Sequence, residues 1–114
     1  MKNIQFSTQL VSRLSNKLPE GITLKQVNLE PAGTPSPDVE AKLVVKGKEF
    51  PVVIEVQNTG GTATLREAAR QAKEYGSQSG AIPFVAGTFF GESARQVVKE
   101  EGVGLIDLAG NFYL

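Results

Sequence analysis

Cysteine and histidine are both absent from the 114 residues. Without cysteine there are no disulfides, no thiolate chemistry and no zinc–sulfur centres. Without histidine the Ser-His-Asp and Cys-His mechanisms are excluded, as are most catalytic zinc sites. Any catalysis is left to carboxylates, lysine, tyrosine, amides or a bound oxygen-preferring metal. Net charge is missing as well, since twelve basic residues balance twelve acidic ones. A nucleic-acid binder usually carries a basic excess, so the balance argues mildly against that partner while leaving a local basic patch open. No apolar run approaches the ~20 residues of a membrane span, and the N-terminus shows no signal-peptide core. The chain reads as cytoplasmic, with no membrane partner.

What is present is an ordinary globular composition, 40% hydrophobic, in a length that favours a single domain over residues 1–114. The informative stretch is Pro37 to Gln57, PDVEAKLVVKGKEFPVVIEVQ. Residues 38–45 and 49–57 alternate apolar with polar, the signature of two half-buried strands. With Gly47-Lys48 as a two-residue loop, Glu40 faces Glu55, Asp38 faces Gln57 and Lys42 faces Val53. Ala41, Leu43, Val45, Phe50, Val52, Ile54 and Val56 then point into a core, and Asp38, Glu40, Glu55 and Gln57 converge on the opposite face. Like charges opposite one another destabilise a sheet. Two readings fit the pattern: a site for a hard divalent cation, which takes carboxylate oxygens, or a solvated face whose acids Lys42 and Lys46 neutralise.

Taken in order, residues 4–18 carry Phe6, Leu10, Val11, Leu14 and Leu18 at helical spacing, stopped by Pro19. Ile22 to Leu29 reads as a strand whose alternation slips between Leu24 and Val27, as a bulge or a short twisted strand would explain. Glu30 to Pro37 is a proline-rich loop. After the hairpin, Thr64 and Glu67 form a capping-box pattern, opening a helix to about Tyr75 with Gly76 as its left-handed terminator. Ala81 to Phe90 is a buried-type strand. Ser93 and Gln96 repeat the capping pattern for a short helix ended by Gly102, and Val103 to Leu108 is another strand. Phe112-Tyr113-Leu114 reads as a final edge strand or as the point where a longer protein was cut. The fold class is α/β (α+β): helices on the faces of a mixed sheet of four to five strands, antiparallel in the middle and parallel later.

This order and these residues resemble the PD-(D/E)xK nuclease superfamily, whose restriction-endonuclease-like core is helix, three-stranded meander, helix, strand, here followed by a further helix and strand. Pro37-Asp38 is similar to the PD, and Glu55-Val56-Gln57 sits at the place of (D/E)xK with glutamine for lysine, as in some restriction enzymes. Gln71 to Tyr75, QAKEY, is similar to the QxxxY of the RecB-like branch, and the tail GVGLIDLAGNFYL to the closing segment of some prokaryotic members. The resemblance implies a Mg²⁺ (or Mn²⁺) site of Asp38, Glu55 and the Val56 carbonyl, with Glu40 as auxiliary ligand. It implies hydrolysis of DNA with Asp38, Glu55 and Gln57 as catalytic residues, Gln71 and Tyr75 toward the DNA, and a homodimer, as small nucleases of this fold often form. Lys42 is a candidate for the charge that Gln57 lacks, or simply neutralises the acids. Gln71 also fits a solvent-facing helical position, and Tyr75 a core ring. The alternatives to a nuclease are a catalytically silent DNA-binding or regulatory module of the same fold, and a protein-interaction domain without nucleic acid.

Three further features stand apart from the resemblance. Asp107 and Asn111 flank a turn, where such residues serve local hydrogen bonds. Thr59-Gly60-Gly61-Thr62 precedes a helix and could cradle a phosphate, but without the Walker lysine and spacing it reads more simply as a loop. Lys17, Lys25, Lys46, Lys48, Arg66, Arg70, Lys73 and Arg95 are the candidate phosphate contacts.

Overall fold

The computed structural model describes residues 4–29, 36–57 and 61–113. They form an α+β fold in the order α1 (Ile4–Leu14), β1 (Ile22–Leu29), β2 (Val39–Val45), β3 (Lys48–Val56), α2 (Thr62–Ser79), β4 (Ile82–Gly87), α3 (Glu92–Glu101), β5 (Gly104–Asp107) and β6 (Phe112–Tyr113). The sheet is mixed and has six strands, in the order β1-β2-β3-β4-β5-β6, one more than the upper expectation because Phe112–Tyr113 pairs antiparallel with β5. β1, β2 and β3 are an antiparallel meander; β3, β4 and β5 run parallel. None of the helices described is long and apolar enough to cross a membrane.

Helix α1 buries Leu10, Val11 and Leu14 against one face of the sheet. It ends at Leu14, four residues before the periodicity suggests. The Lys17 N–H bonds the Leu14 carbonyl at 2.9 Å and Asn16 bonds Arg13 at 3.1 Å, tightening the chain into i→i−3 turns ahead of Pro19. Leu18 still packs on the same core. Strand β1 contains the expected irregularity: its register shifts between Lys25 and Asn28, and Gln26 takes a positive φ of 53°.

The hairpin turns one residue earlier than expected. Lys46 and Gly47 both adopt positive φ, 51° and 82°, the requirement of a type I′ turn, whose twist matches that of the flanking strands. Val45 therefore faces Lys48, Lys42 faces Pro51, Glu40 faces Val53 and Val39 faces Ile54. This is a slip of two residues, so every side chain keeps its face while changing its partner. Val39, Ala41, Leu43, Val52, Ile54 and Val56 join Phe84, Ala86 and Ile106 in the core beneath α1. Phe50 does not, being 37% exposed near the hairpin end.

The opposite face of the parallel strands is covered by α2 and α3, where Leu65, Ala68, Ala69, Val97 and Val98 pack on Val85 and Leu105. Both helices start earlier than their capping-box patterns suggest, on Gly61 and Gly91. Helix α2 also runs past Gly76 to Gly80, which takes the left-handed position at φ 70°. Gly76 is instead a close-packing residue: a Cβ there would lie 2.6 Å from the Ala81 carbonyl oxygen and 3.3 Å from Pro83. Gly104 serves the same purpose under the Phe84 ring, where a Cβ would collide with the ring carbons.

Gly76→Ala should therefore destabilise the fold by roughly 1–3 kcal/mol through overpacking, although alanine is the better helix former by about 0.8–1.0 kcal/mol. Gly104→Ala should cost at least as much, because Phe84 is fully buried. Urea unfolding midpoints of both variants check this, and an unchanged or raised midpoint for Gly76→Ala would remove its close-packing role.

Candidate functional site

One step beyond the Val39–Ile54 pair, the register brings Asp38 opposite Glu55. The Asp38 N–H donates to Glu55 Oε2 at 2.9 Å, and the Val56 N–H donates to Asp38 Oδ2 at 2.8 Å. Each carboxylate thus grips the other strand's backbone, Asp38 half-buried and Glu55 only 3% exposed. Charge-assisted bonds of this kind offset the repulsion of two acids facing each other across a hairpin. The Tyr75 hydroxyl lies within their field. Burial first, then the charges of Glu55, Asp38 and Glu74, push its pKa up and hold the phenol protonated. Gln71, one helical turn earlier on α2, is exposed.

Three expected members are placed differently by the two-residue slip. Gln57 no longer faces Asp38; its N–H bonds the Ala86 carbonyl at 2.8 Å, and it lines a neighbouring cavity. Glu40 faces Val53 rather than Glu55 and borders a small hollow of about 160 Å³ with Pro37, Val53 and Tyr75. Among the described residues, no three His, Cys, Asp or Glu side chains are grouped to hold a metal ion. Lys42 faces Pro51, four residues or roughly 13 Å along β3 from Glu55, and its charge acts on Glu49.

Next to the acidic pair, at the carboxyl ends of β3 and β4, a cavity of about 430 Å³ opens between the first turns of α2 and α3. Gln57, Gly61, Thr62, Leu65, Thr88, Phe89 and Gly91 to Ala94 line it. Ligands in open α/β sheets gather at such strand ends. Two lining residues, Gly61 and Thr62, come from the motif read above as a plain loop; Thr59 and Gly60 lie outside the described residues. Residues 88–93 were hidden from sequence reasoning because the apolar run continues through Phe90. The available signal was Gly91, a glycine between that run and a helix, matching Gly61 before α2. Asp107 holds this loop in place. It is 1% exposed and accepts from the Phe90 and Asn111 N–H groups at 3.0 Å and from Asn111 Nδ2 at 2.8 Å. That is the local bonding expected of the Asp107–Asn111 turn.

Four of the candidate phosphate-binding cations, Lys25, Arg66, Arg70 and Lys73, are paired with glutamates. Arg66 bonds Glu100 and Glu101, each at 2.8 Å, while Lys73 and Arg70 reach Glu101 at 3.1 and 3.5 Å. Lys25 pairs with Glu49, and Arg95 Nη1 donates to the Phe90 carbonyl at 2.8 Å. The cluster on Glu101 clamps α2 to α3 and so braces the walls of the cavity. No family model, curated protein or solved structure matches the chain.

The hydrogen bonds from Arg66 and Lys73 hold the Glu101 carboxyl down at about 2, against 4.5 for an ordinary glutamate. A depressed acid stabilises the fold above its unfolded pKa and loses that contribution as pH falls. The clamp should therefore be intact above about pH 4.5 and released as the pH approaches about 2. Acid unfolding followed by circular dichroism should be shallower for Glu101→Gln than for the native chain across that window. Superimposable curves would remove Glu101 as the clamp.

Proposed function

We propose that Asp38 and Glu55 form the acidic pair of a PD-(D/E)xK nuclease-like site that hydrolyses DNA phosphodiesters with a divalent metal. The observation that carries this reading is the reciprocal bonding of Asp38 and Glu55 across β2 and β3, with the Tyr75 phenol in their field. The helix, meander, helix, strand order of α1 to β4 is compatible with a restriction-endonuclease-like core.

The donor set fits Mg²⁺ or Mn²⁺, because it is entirely oxygen: two carboxylates and the Val56 carbonyl. When bound, such an ion lowers the pKa of a water and stabilises charge on the phosphodiester. The chain's own contribution is placement. The backbone bonds fix both carboxylates before any ligand arrives, so little ordering remains to be done on binding. Gln57 offers an amide that can orient a water by hydrogen bonding without supplying charge. Tyr75, kept protonated, is a donor for a phosphate oxygen, and Gln71 stands one turn away on the same helix.

A second reading has its own support. Glutamine at position 57, with Lys42 level with Pro51 rather than with Glu55, suits a catalytically silent module that binds DNA or regulates a partner. Incubation of plasmid and branched DNA with Mg²⁺ or Mn²⁺ separates the two. The native chain should cut and Gln57→Lys should cut faster. Asp38→Asn keeps an acceptor for the Val56 N–H, yet should slow cleavage by more than the ~10–100-fold typical of residues behind a metal's direct ligands. Cleavage by Gln57→Lys alone would establish the silent module. Equal cleavage by native and Asp38→Asn protein would sink the site, and no salt-dependent DNA binding by any form would leave a protein-interaction domain.

A further inference from the structure

Among the described residues four large apolar side chains are exposed, and Phe89 stands out at 63%, against 36–38% for Val27, Phe50 and Tyr113. Scattered apolar side chains on a surface are normal, so exposure alone decides nothing. Its setting differs, because Phe89 lines the 430 Å³ cavity beside Gln57, within the size range of small-ligand sites. Its ring lies close to Gly91, where a Cβ would come within 3.8 Å of Phe89 Cε2. The buried Asp107 carboxylate fixes the adjoining Phe90 backbone, so the loop that carries the ring is anchored on one side.

The lining combines this aromatic face and Leu65 with amide and hydroxyl groups from Gln57, Thr62, Thr88 and Ser93. Glu92 also lies in the lining, and its charge disfavours a phosphate inside the cavity. A flat, uncharged ring with hydrogen-bonding edges suits every one of these groups. Gln57 is two residues beyond Glu55, roughly 7 Å along the strand, so an occupant of the cavity is a near neighbour of whatever the acidic pair holds.

We propose that the cavity receives a nucleobase stacked on Phe89, so that the strand presented to Asp38 and Glu55 carries at least one unpaired nucleotide. This rests on the DNA reading above and deepens it by naming the substrate class: single-stranded or branched DNA rather than intact duplex. A base within a duplex is covered on both faces and paired at its edge, and it cannot enter a recess between two helices without being extruded. Stacking on an aromatic side chain is tolerant of sequence, so no strong sequence preference accompanies it.

The chain has no tryptophan, which makes Phe89→Trp a single fluorescent reporter at the proposed contact. An oligothymidylate of about twelve nucleotides, a typical single-strand site size, should quench it saturably in EDTA, where no cleavage occurs. An abasic oligonucleotide of the same length, which offers the backbone without bases, should quench little. Phe89→Ala, a surface substitution of small cost to folding, should weaken oligothymidylate binding roughly 5- to 150-fold and leave duplex binding unchanged. The proposal is overturned if anisotropy shows oligothymidylate bound while emission stays constant, if the abasic strand quenches equally, or if Phe89→Ala binds single strands like the native chain. Metal-dependent cleavage with any of those results leaves the nuclease reading standing and removes only the base pocket. Loss of all DNA binding removes both.

Discussion

The Lys46-Gly47 turn is the constraint on which the site depends. Positive φ at two consecutive residues is costly for most side chains, and glycine at the second position relieves half of that cost. The turn then sets the count along both strands. Because it falls one residue earlier than the loop the pattern suggests, Asp38 meets Glu55 instead of Gln57, and the two acids come close enough to exchange backbone hydrogen bonds. A slip of one residue would have turned the acids into the core under α1. A slip of two preserves the burial of every side chain and changes only who faces whom, which is why hydrophobic pattern alone does not distinguish the two registers.

Strand β3 then does two different things at once. On one side it closes an antiparallel hairpin with β2, and on the other it opens the parallel run with β4 and β5. Parallel strands need crossovers, so the carboxyl ends of β3 and β4 each lead into a helix on the same face. The result is that the hairpin's acidic end, the start of α2 and the start of α3 gather at one edge of the sheet. The Glu101 clamp and the Asp107 bonds hold that edge from outside and from within.

Much of this was legible in the residues, and the limits are physical. The element order followed from periodicity, and the β1 bulge from a break in alternation that survives as the Lys25–Asn28 shift. The local role of Asp107 and Asn111 was legible because short polar side chains at a turn have few other uses. Helix boundaries were not. Thr64-Glu67 and Ser93-Gln96 satisfy the capping-box pattern, but the chain enters both helices sooner, from Gly61 and Gly91, which have no side chain to advertise the start. Gly76 looked like a terminator because glycine at a helix end and glycine under a packed neighbour are the same letter; only the Ala81 carbonyl behind it tells them apart. The exposure of Phe89 is invisible in the pattern because an apolar run carries no mark of where the strand stops, and the strand stops at Gly87.

The charge balance of the site links its two halves. Asp38 and Glu55 accept from backbone amides, which bring no positive charge, and position 57, where the resembled family carries lysine, holds an amide. Arg66, Arg70 and Lys73 spend their charge on Glu100 and Glu101. A phosphodiester approaching this edge therefore meets like charge, at short range and with little water between because Glu55 is buried. On the proposed reading, a divalent cation is needed to reverse that sign before the charged part of a strand can settle. The uncharged part faces no such barrier, since a base can enter beside Phe89 whether or not the acids are neutralised. Cation binding and base binding then contribute separately, one to holding the phosphate and the other to choosing a strand with an unpaired base, and a chain lacking the usual lysine has more need of the second.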